Sequence, residues 1–538
     1  MVSNKKKNMS FGGPVMQHKK NICREIISEL LKQKKSSHKD VEKIAKKICK
    51  KYDSPDIPAN VQILQFCNSE EKRQLKSALL MKPVRTISGV TIITVSSKPV
   101  RCPGRCLYCP KGENAPQSYT GLEPAIQRAI NNKYDPFFQV TNRLEQYKLM
   151  GHEMDKVELI IIGSTFLAHD KPYQEWFVCR LYDALNGSQS RSLEEAIKTN
   201  ETAALRCSGL TIETRADYCF EQHINQLLRF GTTRVEVGVQ SLQQNVLEKI
   251  NRMHDLNAVI KATQLAKDSG LKCTYHMMPG LFSSPEEDLE QYKILFSNPQ
   301  FKPDSLKIYP TLVIKGTQLY NMWKAGQYTP LNDEEATDLI AKAMKYIPKY
   351  CRIIRVQRDI PSNQIEAGVK KSNLRELVEQ RARKLGIKIQ DIRYREAGHA
   401  AERGIKIDYG NVKMRRLDYD ASGGKEIFLS FEDTKHDVLI GFLRLRIPFK
   451  PFRPEITSST ALIRELHVYG PLVPVGEHNE EALQHKGFGA KLLQRAEKIA
   501  KDEFKAKKMV IISGVGIRGY YYRFGYIQDG PYVSKILK

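Results

Sequence analysis

Between residues 90 and 311, short apolar runs alternate with longer stretches of mixed polarity. The runs are 90–95, 157–163, 210–213, 234–239, 272–277 and 305–309. Runs of this length, rich in Val and Ile, predict buried strands. Segments of helical length lie between them, as at 174–185 and 258–270. Strands alternating with helices predict a parallel sheet, and six units suggest an open (βα)6 barrel rather than a closed eightfold one. Helical periodicity continues at 334–347 and 374–385. From about 388 the pattern changes, with strands expected at 426–431, 438–445, 462–468 and 509–513 and a strong amphipathic helix at 491–499. At the other end, 22–31 and 41–48 carry apolar residues at helical spacing, as in Ile26, Leu30, Val41, Ile44 and Ile48. The expected class is α/β, a partial (βα)6 barrel followed by an α+β domain, with a basic helical arm in front. A helical arm spans 1–80, a barrel 81–311, a helical connector 312–387 and an α+β domain 388–538.

The 538 residues suffice for about three domains. No apolar run approaches the ~20 residues that span a bilayer, and the first ten residues lack the apolar core of a secretion signal. A reduced, cytoplasmic setting without a membrane is therefore expected. The net charge of +26 favours polyanionic partners. Residues 1–51 hold 15 Lys or Arg against four acids, and together with the amphipathic helices this points to a nucleic-acid-binding arm. The basic stretch 352–358 either faces RNA or pairs with acids.

The chemistry concentrates in Arg101-Cys102-Pro-Gly-Arg-Cys106-Leu-Tyr-Cys109, a C-x3-C-x2-C loop directly after the first expected strand. Three thiolates at this spacing can ligate three irons of a [4Fe–4S] cluster and leave the fourth iron open to a chelating ligand. A structural zinc site would usually want a second Cys pair, and a disulfide does not suit eleven cysteines in a reducing compartment. Cys207, Cys219 and Cys273 read as buried thiols. In such barrels chemistry sits where strands end. The ends here are polar: Gly163-Ser164-Thr165, Glu213 with Arg215, Gln240 with Ser241, His276, and Lys307 with Tyr309. They read as the lining of a cofactor and substrate cavity. Gly163 would let backbone approach a bound amino group. In the last domain, Gln484-x-x-Gly487-x-Gly489 opens a helix and reads as a phosphate cradle. It precedes Ile512-Ser513-Gly514-Val515-Gly516 and the cluster Tyr520-Tyr521-Tyr522, whose plainer reading is aromatic packing.

The cysteine loop resembles that of the radical S-adenosylmethionine (SAM) enzymes, and the glycine cradle with its tyrosines resembles the acetyl-CoA fold of GCN5-related N-acetyltransferases. Together they resemble one family, the third Elongator protein. The matching stretches include SYTGLEP at 118–124, TIETRADYC at 211–219, VEVGVQS at 235–241, HMMPG at 276–280, YPTLVIKGT at 309–317, VQRDIP at 356–361, RELHVYGPLVPV at 464–475 and IISGVG at 511–516. The x3 gap departs from the longer gap of eukaryotic members and suggests a non-eukaryotic branch.

The resemblance implies a tRNA uridine carboxymethyltransferase acting on C5 of the wobble uridine, with acetyl-CoA as substrate and SAM and the cluster as cofactors. Cys102, Cys106 and Cys109 would hold the cluster. Gly163, Ser164, Glu213 and Gln240 stand as SAM contacts from their strand-end positions. Lys156, Glu465, Leu466, His467, Val468, Phe488, Gly489, Ala490, Lys491 and Tyr521 match the family's acetyl-CoA site. Tyr521 and Lys156 are the expected catalytic side chains, Tyr521 as general acid for a departing thiolate. In the mechanism this implies, a 5′-deoxyadenosyl radical takes hydrogen from the acetyl methyl. The resulting carbon radical adds to uridine C5, an electron is lost, and the thioester is hydrolysed. The tRNA anticodon loop is the expected partner, with a homodimer or Elongator-like subunits left open. Two rival readings stand beside it: a protein lysine acetyltransferase with Glu465 as general base and a structural cluster, and a non-catalytic tRNA-binding scaffold.

Overall fold

A computed structural model describes residues 14–33, 38–54, 56–79, 89–152, 154–469 and 487–538. It divides into two compact units. One comprises Met1–Thr86 with Thr141–Met154, the other Ile87–Val140 with Asp155–Lys538.

In the first unit, helices Pro14–Leu31, His38–Lys51, Asn60–Gln65 and Ser69–Leu79 share a core. Ile22, Ile26, Leu30, Val41, Ile48 and Leu75 are all buried in it, at the spacing that puts them on one face of each helix. Lys43, Lys46, Lys47 and Lys50 stand exposed on the opposite face. The expected arm is thus a folded helical bundle, its apolar stripes closed on one another and its lysines left to solvent. Arg24 reaches across to Glu71 at 2.7 Å.

The second unit holds two seven-stranded sheets. The first is all parallel, in chain order: β1 Thr91–Ser96, β2 Lys156–Ile162, β3 Arg206–Thr214, β4 Arg234–Gln240, β5 Lys272–Met277, β6 Ser305–Ile308 and β7 Arg352–Val356. Val157, Leu159 and Ile161 are buried along one face of β2, while Lys156, Glu158 and Ile160 alternate with them on the other. The intervening helices start where their sequences provide caps: Asp170, Ser192, Asp255, Ser284 and Asn332 each accept a backbone N–H of the first turn.

All six expected strands are present, and β7 is a seventh that sequence reading placed within a helical connector. Arg352 and Arg355 break its apolar run and hide it. The basic residues of this stretch are engaged: Arg352 with Glu396 at 2.5 Å and with the Tyr469 hydroxyl at 2.9 Å, Arg355 with Asp359 at 2.5 Å, and Arg358 with Ser118. Of the two readings of this stretch, the acid-pairing one describes Arg352 and Arg355.

The second sheet has strands β8 Val412–Ala421, β9 Gly424–Asp433, β10 Val438–Ile447, β11 Thr460–Val468, β12 Lys508–Ile511, β13 Ile527–Asp529 and β14 Tyr532–Ile536. Their order is β8-β9-β10-β11-β12-β14-β13, antiparallel except for the β11–β12 pair. Helix Phe488–Asp502 lays Leu492, Leu493, Ala496 and Ile499 on it. This sheet packs against the N-terminal ends of the first. Arg464 of β11 donates to Asp304, just before β6, at 2.6 and 2.8 Å, and to the Leu271 carbonyl before β5. Arg446 donates to Asp268 at 2.6 Å and Glu426 at 3.0 Å, and Arg444 to the Tyr350 carbonyl before β7. A Cβ on Gly514 would meet the Ser208 carbonyl at 2.2 Å, so this loop fits against β3 only without a side chain.

Candidate active site

β1 delivers the chain into the cysteine loop at the C-terminal rim of the parallel sheet. The loop is fastened from below. Leu107 N donates to the Ile250 carbonyl at 3.2 Å, Cys109 N to the Cys106 carbonyl at 3.1 Å, and Gly104 N to Cys102 Sγ at 3.4 Å. Arg252 donates to Cys106 Sγ at 3.3 Å and to the Gly238 carbonyl. Arg215, clamped by Asp217 at 2.8 Å, lies directly over Gly104, where an added Cβ would strike its guanidinium at 2.0 Å. A hydrogen bond shared with Cys109, followed by the charge of Arg252, brings the Cys106 thiol down to about 5 against the opposing effect of burial. The same shared hydrogen bond raises Cys109. Neighbouring guanidinium charge favours thiolates, the form in which sulfur ligates iron.

All three cysteines line one cavity of about 700 Å³, together with Arg101, Lys111 and Thr317. Thr165 Oγ1, after β2, is 3.9 Å from Cys102 Sγ, and Ser164 Oγ reaches the carbonyl of Gln117 on the cavity wall at 3.5 Å. Gly163 has φ +115°, and a Cβ there would meet Ser97 Oγ at 2.8 Å. Ser164 and Gln240 also hold positive φ, +50° and +74°, a cost that clusters at ligand sites. Three convergent thiols in a positively charged cavity suit the donor set of a cluster with one open iron.

On the inner face of the sheet the remaining strand ends meet. Lys307 reaches Glu213 at 3.0 Å and also Glu236, His276 Nε2 is 3.1 Å from Glu236, and the Tyr119 hydroxyl donates to Glu213 at 3.2 Å. Burial disfavours the charge of Glu236, yet Lys307 and His276 hold its carboxyl well below the usual range. Its Oε1 is buried without a partner. Tyr309 packs edge-on against His276 at 5.4 Å, so Glu213, Glu236, His276, Lys307 and Tyr309 form one cluster. Ser241 is turned away, donating to Gln291 at 2.9 Å.

Apart from Lys156, the residues matched to acetyl-CoA binding gather at the second sheet. Glu465 to Val468 are the last four residues of β11 and are half-buried, unlike the buried residues before them. Helix Phe488–Asp502 begins at Gly487, φ +71°, with no side-chain cap, so the amides of Phe488, Gly489 and Ala490 form an uncapped helix N-terminus, while Lys491 N donates to the Gly487 carbonyl at 3.1 Å. A Cβ on Gly489 would lie 2.7 Å from the Tyr520 hydroxyl and 3.7 Å from Val468, so strand end, helix start and tyrosine cluster converge. Tyr521 is 4% exposed and packs edge-on against Tyr520 at 5.2 Å. Burial raises its hydroxyl pKa, so it remains a proton donor at neutral pH. Residues 484–486 of the cradle and 470–475 of the RELHVYGPLVPV stretch lie outside the described residues.

Lys156 opens β2, 3.8 Å from Asp155 and in register with Arg206, against which Gly516 packs. Glu465 is bound by Arg444 at 2.8 Å and Lys272 at 3.6 Å. Although burial opposes it, Lys272 and then Arg444 hold this carboxyl down to about 2. Burial keeps His467 neutral, down to about 4.

Three family models match the chain: the ELP3 N-terminal domain at 19–87, the Radical SAM superfamily at 97–293 and the Radical_SAM C-terminal domain at 303–384. The tRNA uridine(34) acetyltransferase of Methanocaldococcus jannaschii is 50% identical over 97% of this chain and 99% of that protein. The chain belongs to the Elp3 family, the catalytic subunits of Elongator. Elongator complex protein 3 of Homo sapiens is 43% identical, covering 95% of this chain and 97% of that one. The solved archaeal Methanocaldococcus infernus Elp3 with residues 1–46 deleted superposes with a TM-score of 0.76 at 47% identity, covering 84% of this chain and all of that one. Membership in the radical SAM superfamily implies a [4Fe–4S] cluster and SAM.

Sequence reading of this Elp3-family chain missed three contributors. Arg252 carries no local signal, since it reaches Cys106 across 146 residues. Glu236 did carry one, as an acid in the middle of the apolar run VEVGV. Tyr119 lies in the quoted SYTGLEP stretch but gained its place only through Glu213.

Proposed function

We propose that this chain modifies the wobble uridine of tRNA, placing a carboxymethyl group on C5 with acetyl-CoA as the carbon source. The observation that carries this reading is the pairing, in one compact unit, of a three-cysteine cavity with a second sheet at which a strand end, an uncapped helix start and a tyrosine cluster converge, an arrangement that suits the pyrophosphate of an acyl-CoA. The names of relatives, tRNA uridine(34) acetyltransferase and Elongator complex protein 3, support the same reaction class.

Cys102, Cys106 and Cys109 would hold the cluster, which when bound supplies the electron that generates a 5′-deoxyadenosyl radical from SAM. Arg252 and Arg215 keep the loop electropositive. Gly163, Ser164, Glu213 and Gln240 would contact SAM from their strand ends. The helix start at Phe488–Lys491 and the β11 end at Glu465–Val468 bind the pyrophosphate and pantetheine of acetyl-CoA, with Lys156 as a further anion contact. Tyr521 donates its hydroxyl proton to the departing thiolate. The anticodon loop presents its bases unpaired, so the target uridine can turn into the cavity past Arg101, Arg105 and Lys111. Phosphate contacts supply most of the affinity, which therefore falls steeply with salt.

A lysine acetyltransferase reading needs Glu465 as general base. A carboxylate held at about 2 by Lys272 and Arg444 is a poor proton acceptor at neutral pH, and this disfavours the rival. The test is mass spectrometry of tRNA nucleosides after anaerobic reaction with acetyl-CoA and SAM. Wild type should yield 5-carboxymethyluridine and Cys106→Ala none. Equal product from both proteins would refute the assignment.

A further inference from the structure

Beside the cysteine cavity lies a ledge of aromatic and cationic side chains that neither the cluster nor acetyl-CoA explains. Lys98 directly precedes Pro99 and Val100, which line the cavity. Its backbone N–H donates to the Tyr173 hydroxyl at 2.9 Å, and its ammonium sits 4.4 Å from the centre of the Tyr173 ring. Trp176 follows at 5.6 Å from Tyr173, one helical turn along Lys171–Asn186. One further turn brings Arg180, whose guanidinium covers Phe137 at 4.6 Å. Trp176 is 43% exposed and Phe138 51% exposed.

The buried packing of this region does not need the indole. Phe177, next in sequence, is fully buried and joins Phe166 and Phe230 in the aromatic core beneath. The helix thus sends Phe177 inward and presents Trp176 to solvent, on the side where Lys98 and Lys171 are exposed. Exposed aromatic faces interleaved with cations, leading into a basic cavity mouth, match single-stranded nucleic acid in both shape and charge: bases stack on the rings and phosphates meet the ammonium groups.

We propose that the Lys98–Tyr173–Trp176 ledge is a stacking platform for the unpaired nucleotides of the RNA next to the one taken into the cavity, with Trp176 stacking a base and Lys98 contacting its phosphate. This rests on the tRNA reading above and adds to it the residues that hold the flanking nucleotides.

The chain has two tryptophans, Trp176 and Trp323, so full-length Trp323→Phe leaves Trp176 as the sole indole reporter. Titrating it with a tRNA anticodon stem-loop hairpin carrying uridine at the target position should quench its emission. Trp176→Ala should weaken hairpin binding about tenfold with an unchanged salt slope, and Trp176→Phe should restore most of that loss. Lys98→Ala should instead reduce the salt slope by about one. If wild type shifts the hairpin in a gel while Trp323→Phe emission stays constant and Trp176→Ala binds as tightly, the platform is overturned and the tRNA reading survives. If wild type binds neither hairpin nor tRNA, the underlying reading falls and the platform with it.

Discussion

The side chains that set the chemistry do so through their charged neighbours. Glu465 shows this most plainly, because its carboxyl is held at about 2 by Lys272 and Arg444 although burial works the other way. An unfolded glutamate titrates at about 4.3. A depressed pKa stabilises the fold at and above that value, and the stabilisation is lost as pH falls towards 2. The wild-type melting temperature should therefore fall between about pH 4.5 and 2, and Glu465→Gln should lose part of that slope. A melting curve for Glu465→Gln with the full wild-type acid dependence would contradict the assignment. Much at this scale was legible beforehand. The three cysteines announce themselves because their spacing is local in the chain, and the burial of Cys207 and Cys273 follows from their place in β3 and β5, whereas Cys219 is buried in the turn after β3. What was not legible is the partner of each group. Arg252 beside Cys106 and Arg444 beside Glu465 exist only once distant strands are adjacent.

At the scale of elements, alternation along the parallel strands decides where polar groups go. Val235, Val237 and Val239 turn outward to the helices, while Arg234 and Glu236 turn inward with Glu213 and Lys307. The inward face is thus a buried polar cluster at the strand ends, and its charges must balance. Lys307→Met leaves buried Glu236 with His276 alone, which should cost about 3–5 kcal/mol of unfolding free energy, read from denaturant melts. The double variant Lys307→Met/Glu236→Gln should regain a large part of that loss, since it removes the stranded charge. A double variant as unstable as the single one would mean that Lys307 acts through packing alone. The six strands were readable because their outward faces are apolar, with Val and Ile in β2 and β4, Leu and Ile in β6, and Cys, Tyr and Met in β5. β7 was not, since its arginines look like a basic surface until Glu396 and Tyr469 are seen to meet Arg352. β8 was hidden for a related reason: as an edge strand it is mostly exposed and carries Arg415, Arg416, Asp418 and Asp420.

Across the whole second unit, the C-terminal ends of the parallel strands carry the cysteine cavity and their N-terminal ends carry the second sheet. The two sheets are joined through a buried belt of charge in which Arg464, Arg446 and Arg444 meet Asp304, Asp268 and Glu426. Arg464 and Asp304 are both almost fully buried, so neither can exchange its partner for water. Such a belt ties the opening of one sheet to the opening of the other. In wild type, hydrogen exchange should protect β4–β6 and β9–β11 with similar free energies, as parts of one cooperative unit. Arg464→Ala strips Asp304 of its bidentate guanidinium and leaves Glu426 with that of Arg446, and should cost about 3–5 kcal/mol. Exchange should then become faster in β9–β11 while β1 and β2, remote from Arg464 in the strand order, keep more of their protection. The same variant should still incorporate the cluster, because the cysteine loop is fastened by Ile250 and Arg252 at the other end of the strands. Uniform loss of protection across both sheets together with loss of the cluster would show instead that the unit cannot fold without Arg464. Protection unchanged from wild type in both sheets would remove the belt as the element that couples them.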